Sequence, residues 1–196
     1  PFIPGNEACG IIVEEKCNNK KLLHKKVIIN KKGGCFAEEI IAFEEDIIII
    51  PPSIKSSLAA GLYTSYLTAY ITIVKLGKIK CCENVLVTGA SGAVGIACLN
   101  ILKNLKANTI PVTSNKKKSD FVKKFTAENI IIYNKLKKNN FNKYKNNIDV
   151  IIDINGLLKT DNILSSLKWG GKYMIIGFID KNITKISTNY ILIKGL

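Results

Sequence analysis

Short apolar runs bounded by glycine, asparagine and lysine fill the first quarter of the chain. Residues 10–13 and 26–29 are short β-branched runs, and 36–42 and 47–50 follow after Gly33-Gly34, all of strand length. They predict part of a small barrel or sandwich. Pro51-Pro52 ends the last of them, and Ser53 is placed to cap the next element. Leu58, Ala59, Leu62, Tyr66, Ala69, Tyr70, Ile73 and Val74 then recur at helical spacing, with a break at Gly61. From Asn84 the pattern alternates. Strands are expected at 85–88, 109–113, 130–132, 149–153 and 172–176, with a sixth at 191–194. Helices are expected between them at 93–106, 116–125, 134–145 and 160–167. Such alternation predicts an α/β fold with a parallel, doubly wound sheet. The domain boundary is placed at about Ser56, separating residues 1–56 from 57–196. Pro111 is a misfit inside its strand, because proline cannot donate to a central ladder.

The chain's chemistry concentrates where the first of these later strands ends. Val85-Leu86-Val87-Thr88 runs into Gly89-Ala90-Ser91-Gly92-Ala93-Val94-Gly95, and a helical pattern begins at Ala93. Strand, glycine turn and helix in this order form a variant of the dinucleotide-binding fingerprint. Its glycines allow a tight turn, close backbone approach to a pyrophosphate, and helix-on-strand packing. The alternative is a packing turn that binds nothing. An NAD-specific site wants an acid about 20 residues further on, to hold the ribose 2′-hydroxyl. Here the second strand ends in Thr113-Ser114-Asn115-Lys116-Lys117-Lys118. Hydroxyl, amide and ammonium donors replace the acid and suit a 2′-phosphate, which favours NADP over NAD. The alternative is one more lysine run in a lysine-rich chain.

The net charge of +14 changes this picture little. All 29 basic residues are lysine, and neither arginine nor glutamine occurs. Nucleic-acid surfaces favour arginine forks and stacking aromatics, so the lysine runs predict a solvated surface and no nucleic-acid partner. A hydrophobic content of 47% indicates a folded core, yet no apolar run approaches bilayer length. No membrane partner is expected. No charged-then-apolar leader opens the chain, and a cytoplasmic location is expected. Of six cysteines none forms a CxxC, and His24 is the only histidine, so no metal site is expected. Cys9, Cys35 and Cys98 predict small buried hydrophobes, and adjacent Cys81-Cys82 are not expected to bond. Glu7, the one acid in an apolar turn, is expected to accept backbone amides. Tyr66 and Tyr70 can transfer protons chemically, but their helical spacing suits a core, so no catalytic residue is assigned.

Further motifs extend the fingerprint in both directions. Pro4-Gly5-Asn6-Glu7-Ala8-Cys9-Gly10, Gly33-Gly34-Cys35-Phe36-Ala37-Glu38, Ala59-Ala60 and Tyr66-Leu67-Thr68-Ala69-Tyr70 precede it. Lys118, Thr126-Ala127, Tyr133, Asp153-Ile154-Asn155-Gly156, Gly170-Gly171, Ile176-Gly177-Phe178, Asn189 and Leu192 come after it. This ordered set resembles the zeta-crystallin-like quinone oxidoreductases of the medium-chain dehydrogenase/reductase superfamily. The resemblance implies a doubly wound Rossmann sheet preceded by part of a β-rich GroES-like domain. It implies that Thr68 lies near the nicotinamide-side phosphate. Gly89, Gly92, Ala93, Val94 and Gly95 would form the pyrophosphate turn, with Ser114 and Lys118 on the 2′-phosphate of NADP (as NADPH). Tyr133 would pack near the adenosine, and Gly177, Phe178 and Ile179 would line the nicotinamide half. Family chains begin before the position of Pro1 and continue past Leu196, so an incomplete catalytic domain is expected. In the superfamily's zinc enzymes a histidine ligand precedes the motif's glutamate; here that position is Asn6. The cysteine-rich zinc lobe would lie between Cys17 and Cys35, where its spacing is missing. In the family a glycine usually stands at the position of Thr126, which bears on local turn geometry. The implied activity is zinc-independent hydride transfer from NADPH to a quinone or enone. The alternatives are an enoyl-thioester or alkenal reductase and a non-catalytic nucleotide-binding protein. A homodimer through the last strand of the sheet is also implied.

Overall fold

In the computed structural model the described residues are 2–16, 21–126, 129–133, 141–156, 163–178 and 185–195. They form two compact units, Pro1–Ser65 and Tyr66–Leu196. The expected boundary near Ser56 lies at the start of α1 (Ser56–Ala59), ahead of this division.

In the first unit β1 (Glu7–Ile11), β2 (Lys26–Asn30) and β3 (Ile47–Ile49) pair antiparallel in that order, with Ile28 opposite both Cys9 and Ile48. Side chains of β2 alternate between two small cores. Val27 and Ile29 bury with Cys35 on one face, and Ile28 buries with Ile50 and Ala59 on the other. Burial on both faces explains why Val27-Ile28-Ile29 is an unbroken apolar run. Glu7 accepts the backbone N–H of Thr64 at 2.9 Å, the structural role expected of it. Cys9 is only half-buried, while Cys35 is buried as expected. The strand expected at 36–42 does not form. Gly33 and Gly34 both take positive φ and turn the chain, and the N–H of Phe36 is spent on Pro4 O at 3.0 Å. Phe36 and Ile41 are left exposed.

The helix α2 (Tyr63–Tyr70) straddles the division, its start separated from α1 by the turn at Gly61, and continues as a π-helical turn over Ile71–Leu76. A five-stranded parallel sheet comes next. It comprises β4 (Asn84–Val87), β5 (Asn108–Thr113), β6 (Ile131–Ile132), β7 (Ile148–Asp153) and β8 (Leu167–Ile175), in the order β6-β5-β4-β7-β8. The helices α3 (Ala93–Asn104) and α4 (Lys116–Val122) come after β4 and β5. One face of the sheet, Val85, Val87, Val150 and Ile152, packs with Ala69 and Ile73, with Ala97, Cys98 and Leu102 of α3, and with Val122 of α4. The other face, Leu86 and Ile151, packs with Phe141, Ile163 and Leu164. Apolar cover on both faces is what a doubly wound sheet requires.

Pro111 is accommodated by register. Val112 O accepts the N–H of Ala90, and Thr113 O accepts that of Tyr133, so Val112 faces β4 while Pro111 and Thr113 face the β6 side. The β6 pairing begins only at Val112, so the missing proline N–H deprives no partner strand.

Three expectations change in the second unit. A sixth strand at 191–194 is replaced by a helix, α5 (Thr188–Lys194). Ser187 enters it in an extended conformation, and Gly195 at φ 61° closes it as a left-handed C-cap. The ammonium of Lys194 donates to Leu167 O at 2.7 Å. The strand through which a homodimer was implied is therefore absent among the described residues. Second, β8 begins at Leu167 rather than 172, through a register shift between Ile148 and Val150. Third, of the helices expected at 134–145 and 160–167, only a 3-10 turn at Asn142–Tyr144 and a helical step at 163–164 fall within the described residues. No helix among the described residues is long and apolar enough to cross a membrane.

Leu86 is fully buried at the centre of the sheet. Leu86→Ala should cost about 2–5 kcal/mol of unfolding free energy, read as a lower urea midpoint at unchanged slope. A change within about 0.5 kcal/mol, ordinary for a surface site, would contradict the central placement of β4.

Candidate cofactor site at the carboxyl ends of the strands

Strand order reverses direction between β4 and β7, because the chain moves from β4 to β5 on one side and returns to β7 on the other. Ligands of open α/β sheets bind in the crevice beyond the strand ends at such a point. The glycine turn lies there. Gly89 leaves β4 at φ 61°, and a Cβ on it would lie 2.5 Å from Oδ1 of Asn155. Its carbonyl accepts the N–H of Gly92 at 3.0 Å, which closes the turn. Gly92 is the extended N-cap of α3, and no side chain caps that helix. At Gly95 a Cβ would stand 2.4 Å from Gly89 O and 2.7 Å from the backbone of Ala90. Only glycine lets α3 begin this close to the strand before it. Gly92 and Ala93 are exposed and Val94 is half-buried, so the first turn of α3 presents its amides and positive dipole end outward.

A buried carboxylate holds this turn in place. Asp153 ends β7 at 1% exposure. Its Oδ1 accepts the hydroxyl of Thr88 at 2.6 Å and the N–H groups of Asn155 at 3.2 Å and Gly156 at 3.0 Å; its Oδ2 accepts the hydroxyl of Tyr173 at 2.6 Å. Thr88 Oγ1 in turn accepts the N–H of Ile154 at 2.9 Å. The ends of β4 and β7 are thus tied to each other and to Tyr173 in β8. Burial, the negative charge of Asp153 and the hydrogen bond to it all push the Tyr173 phenol well above its ordinary pKa.

Sequence reasoning had Asp153 and Asn155 only as parts of a motif and missed Tyr173. The signal was an acid ending an otherwise apolar strand, since a carboxylate there needs donors.

The remaining candidates distribute along the same edge. Ser114 succeeds β5 and is exposed, and Lys118 is exposed in the first turn of α4. Asn115 caps α4 by accepting the N–H of Lys118 at 2.9 Å. Lys116 and Lys123 pair with Asp120 at 3.2 and 3.5 Å, whereas Lys118 forms no ion pair among the described residues. Tyr133 lies just past β6, donates its N–H to Thr113 O at 2.7 Å, and stacks on Phe141 at 6.3 Å. Thr68 is half-buried on α2, and its carbonyl accepts the Thr72 hydroxyl at 2.8 Å. The neighbouring Ala69 packs into the core that holds α3. Gly177 and Phe178 lie just past β8. A Cβ on Gly156 would meet the Phe178 ring at 2.7 Å and Gly177 O at 3.3 Å. Ile179 lies outside the described residues. Tyr66 accepts a hydrogen bond from Asn100 Nδ2 at 2.7 Å and packs against the core.

A model of the family described as zinc-binding dehydrogenase matches residues 93–196. The chain belongs to that family. A quinone oxidoreductase-like protein 2 homolog of Nematostella vectensis is 30% identical over 202 residues, covering 100% of this chain and 55% of that protein. An acryloyl-coenzyme A reductase of Sulfurisphaera tokodaii is 35% identical over 128 residues, 65% of this chain and 37% of that enzyme. The chain thus spans roughly half, or less, of the length of these relatives. Among solved structures, the Escherichia coli quinone oxidoreductase complexed with NADPH superposes with a TM-score of 0.86 at 22% identity, covering 99% of this chain and 61% of that one. The likeness establishes the fold: a Rossmann domain with a β-rich GroES-like part before it.

The zinc of the family's description does not fit the residues here. Asn6 Oδ1 accepts the N–H of Gly33 at 3.1 Å, so its side chain is spent on a backbone amide. Among the described residues, no three His, Cys, Asp or Glu side chains group to hold a metal.

Tyr173→Phe removes one donor to a buried carboxylate and should cost about 1–3 kcal/mol at neutral pH. Because the folded state raises the Tyr173 pKa, its stabilising effect is complete below the unfolded value of 10.0. It should be lost as pH rises past that value. Denaturation midpoints across the alkaline range should fall less steeply for Tyr173→Phe than for wild type; parallel curves would contradict the network.

Proposed function

We propose that the full-length protein is an NADPH-dependent oxidoreductase that reduces a quinone without a metal. One observation carries this reading: beyond the glycine turn at the switch point, Ser114 just after β5 and Lys118 in the first turn of α4 stand where an NAD site would carry an acid. The cradle that a Cβ on Gly95 would fill, and the uncapped start of α3, fit a pyrophosphate. When bound, NADPH supplies the hydride. The chain's task is to bind and orient. Amides of Ala93 and Val94 take the pyrophosphate, and Thr68 takes the phosphate on the nicotinamide side. The Ser114 hydroxyl and Lys118 ammonium take the 2′-phosphate, with charge assistance from lysine. Tyr133 flanks the adenosine, and Gly177, Phe178 and Ile179 flank the nicotinamide. The Tyr173 hydroxyl spends its proton on Asp153, and Tyr66 packs against the core, so neither is assigned as proton donor. The five described cysteines are free, which suits a reducing cytoplasm.

Quinone reduction is supported by the Nematostella relative, which matches this chain along its whole length. A second reading, an enoyl-thioester reductase, is favoured by two acryloyl-coenzyme A reductases at 35% and 39% identity. Both reactions deliver hydride to an electron-poor carbon. Turnover of a quinone against an acryloyl thioester by full-length protein separates them.

Ser114→Ala with Lys118→Ala should weaken NADPH binding by about tenfold or more, the loss of a charge-assisted hydrogen bond, and leave NADH binding nearly unchanged. Fluorescence titration of both cofactors reads this directly; equal losses would overturn the 2′-phosphate assignment.

A further inference from the structure

At the amino-terminal end of β4, the length of that strand away from the glycine turn, Cys81 and Cys82 form a second chemically distinct feature. Both are exposed, and their sulfurs lie 3.1 Å apart, inside ordinary van der Waals contact. Adjacent side chains in extended or helical backbone point away from each other. Here a turn brings them together. Cys82 adopts φ 64°, its N–H donates to Lys106 O at 3.0 Å, and its carbonyl accepts Asn108 Nδ2 at 3.0 Å. The Lys80 N–H donates to Glu83 Oε2 at 2.9 Å and closes the turn from the other side. By contrast Cys35 and Cys98 are buried, and burial pushes the Cys98 thiol up to about 12.

We propose that Cys81 and Cys82 form a reversible vicinal dithiol–disulfide couple, a redox-modification site oxidised by low-molecular-weight disulfides such as glutathione disulfide. The couple is independent of the cofactor assignment. The hydrogen bond to Cys82 raises the Cys81 pKa above its ordinary value. The 3.1 Å separation lets either thiolate attack first, for example Cys82. Its sulfur bonds to one sulfur of glutathione disulfide, the S–S bond of the oxidant breaks, and one glutathione leaves. Cys81 then loses its proton and attacks Cys82 Sγ, breaking the mixed disulfide and releasing the second glutathione. Two protein thiols give up two electrons and two protons, and one glutathione disulfide becomes two glutathiones.

Closing the bond requires the sulfurs to approach to about 2.05 Å, a small rotation from their present separation. The ring is strained nonetheless. Neighbouring Cα atoms are about 3.8 Å apart, closer than the roughly 4.4–6.8 Å that disulfides span. Strained and exposed disulfides are the labile, easily reduced ones, so the couple should run in both directions.

The full chain is incubated with glutathione disulfide under native conditions and followed by intact-mass and peptide mass spectrometry. The expected product has lost two hydrogens, carries its bond within the peptide holding both cysteines, bears no glutathione there, and returns to the starting mass with dithiothreitol. Cys81→Ser should instead keep a lasting glutathione adduct on Cys82, since its resolving thiol is gone. Wild-type chain that retains glutathione at either position, stays fully reduced, or links two chains through these residues would overturn the proposal. The wild-type result decides by itself if the variant fails to fold.

Discussion

The carboxylate of Asp153 sits in the interior of the second unit, where an unpaired charge would cost several kcal/mol. Thr88, Tyr173 and the backbone N–H groups of Asn155 and Gly156 all donate to it. Each donor belongs to a different piece of the site or its support. Thr88 leads straight into Gly89, Asn155 stands against Gly89, and Gly156 is the residue on which Phe178 rests. Satisfying one buried charge therefore sets where β4 releases the chain, how near the β7 loop approaches it, and where the segment after β8 lies. The glycine turn keeps its shape because the groups beneath it have no other good arrangement.

Around that anchor the site is mostly backbone. The close approach at Gly95, the uncapped first turn of α3 and the positive φ of Gly89 make a surface of amides that recognises phosphate by geometry and dipole. Selectivity then falls to a few side chains at the neighbouring strand end. There Lys118, unlike Lys116, is left free of an ion pair among the described residues, because Asp120 is taken by Lys116 and Lys123.

Much of this was legible in the sequence because it depends on local rules. The glycine spacing after Val85-Leu86-Val87, the helical run from Ala93 and the absence of an acid after Thr113 required no knowledge of distant contacts. The parts that were not legible depend on tertiary partners. Residues 191–194 have a strand-like composition, but they form a helix that Gly195 closes as a left-handed C-cap. Residues 36–42 have the length and partly apolar composition of a strand, but two positive-φ glycines and a bond to Pro4 O take their start elsewhere. Pro111 looked unsuited to a central strand until register showed that its missing N–H faces a side where pairing has not begun. Tyr173 could not be found from spacing, since its role exists only once β8 lies beside β7.

If the proposed function is right, the dinucleotide is held at the turn from Gly89 to Gly95, at the switch point between β4 and β7. Backbone-amide NMR of the isotope-labelled full-length protein during titration with NADPH tests this most directly. The largest shifts are predicted at Gly92, Ala93 and Val94, with a second group at Ser114 to Lys118. Shifts spread over the lysine-rich surface that leave the glycine turn unmoved would contradict it.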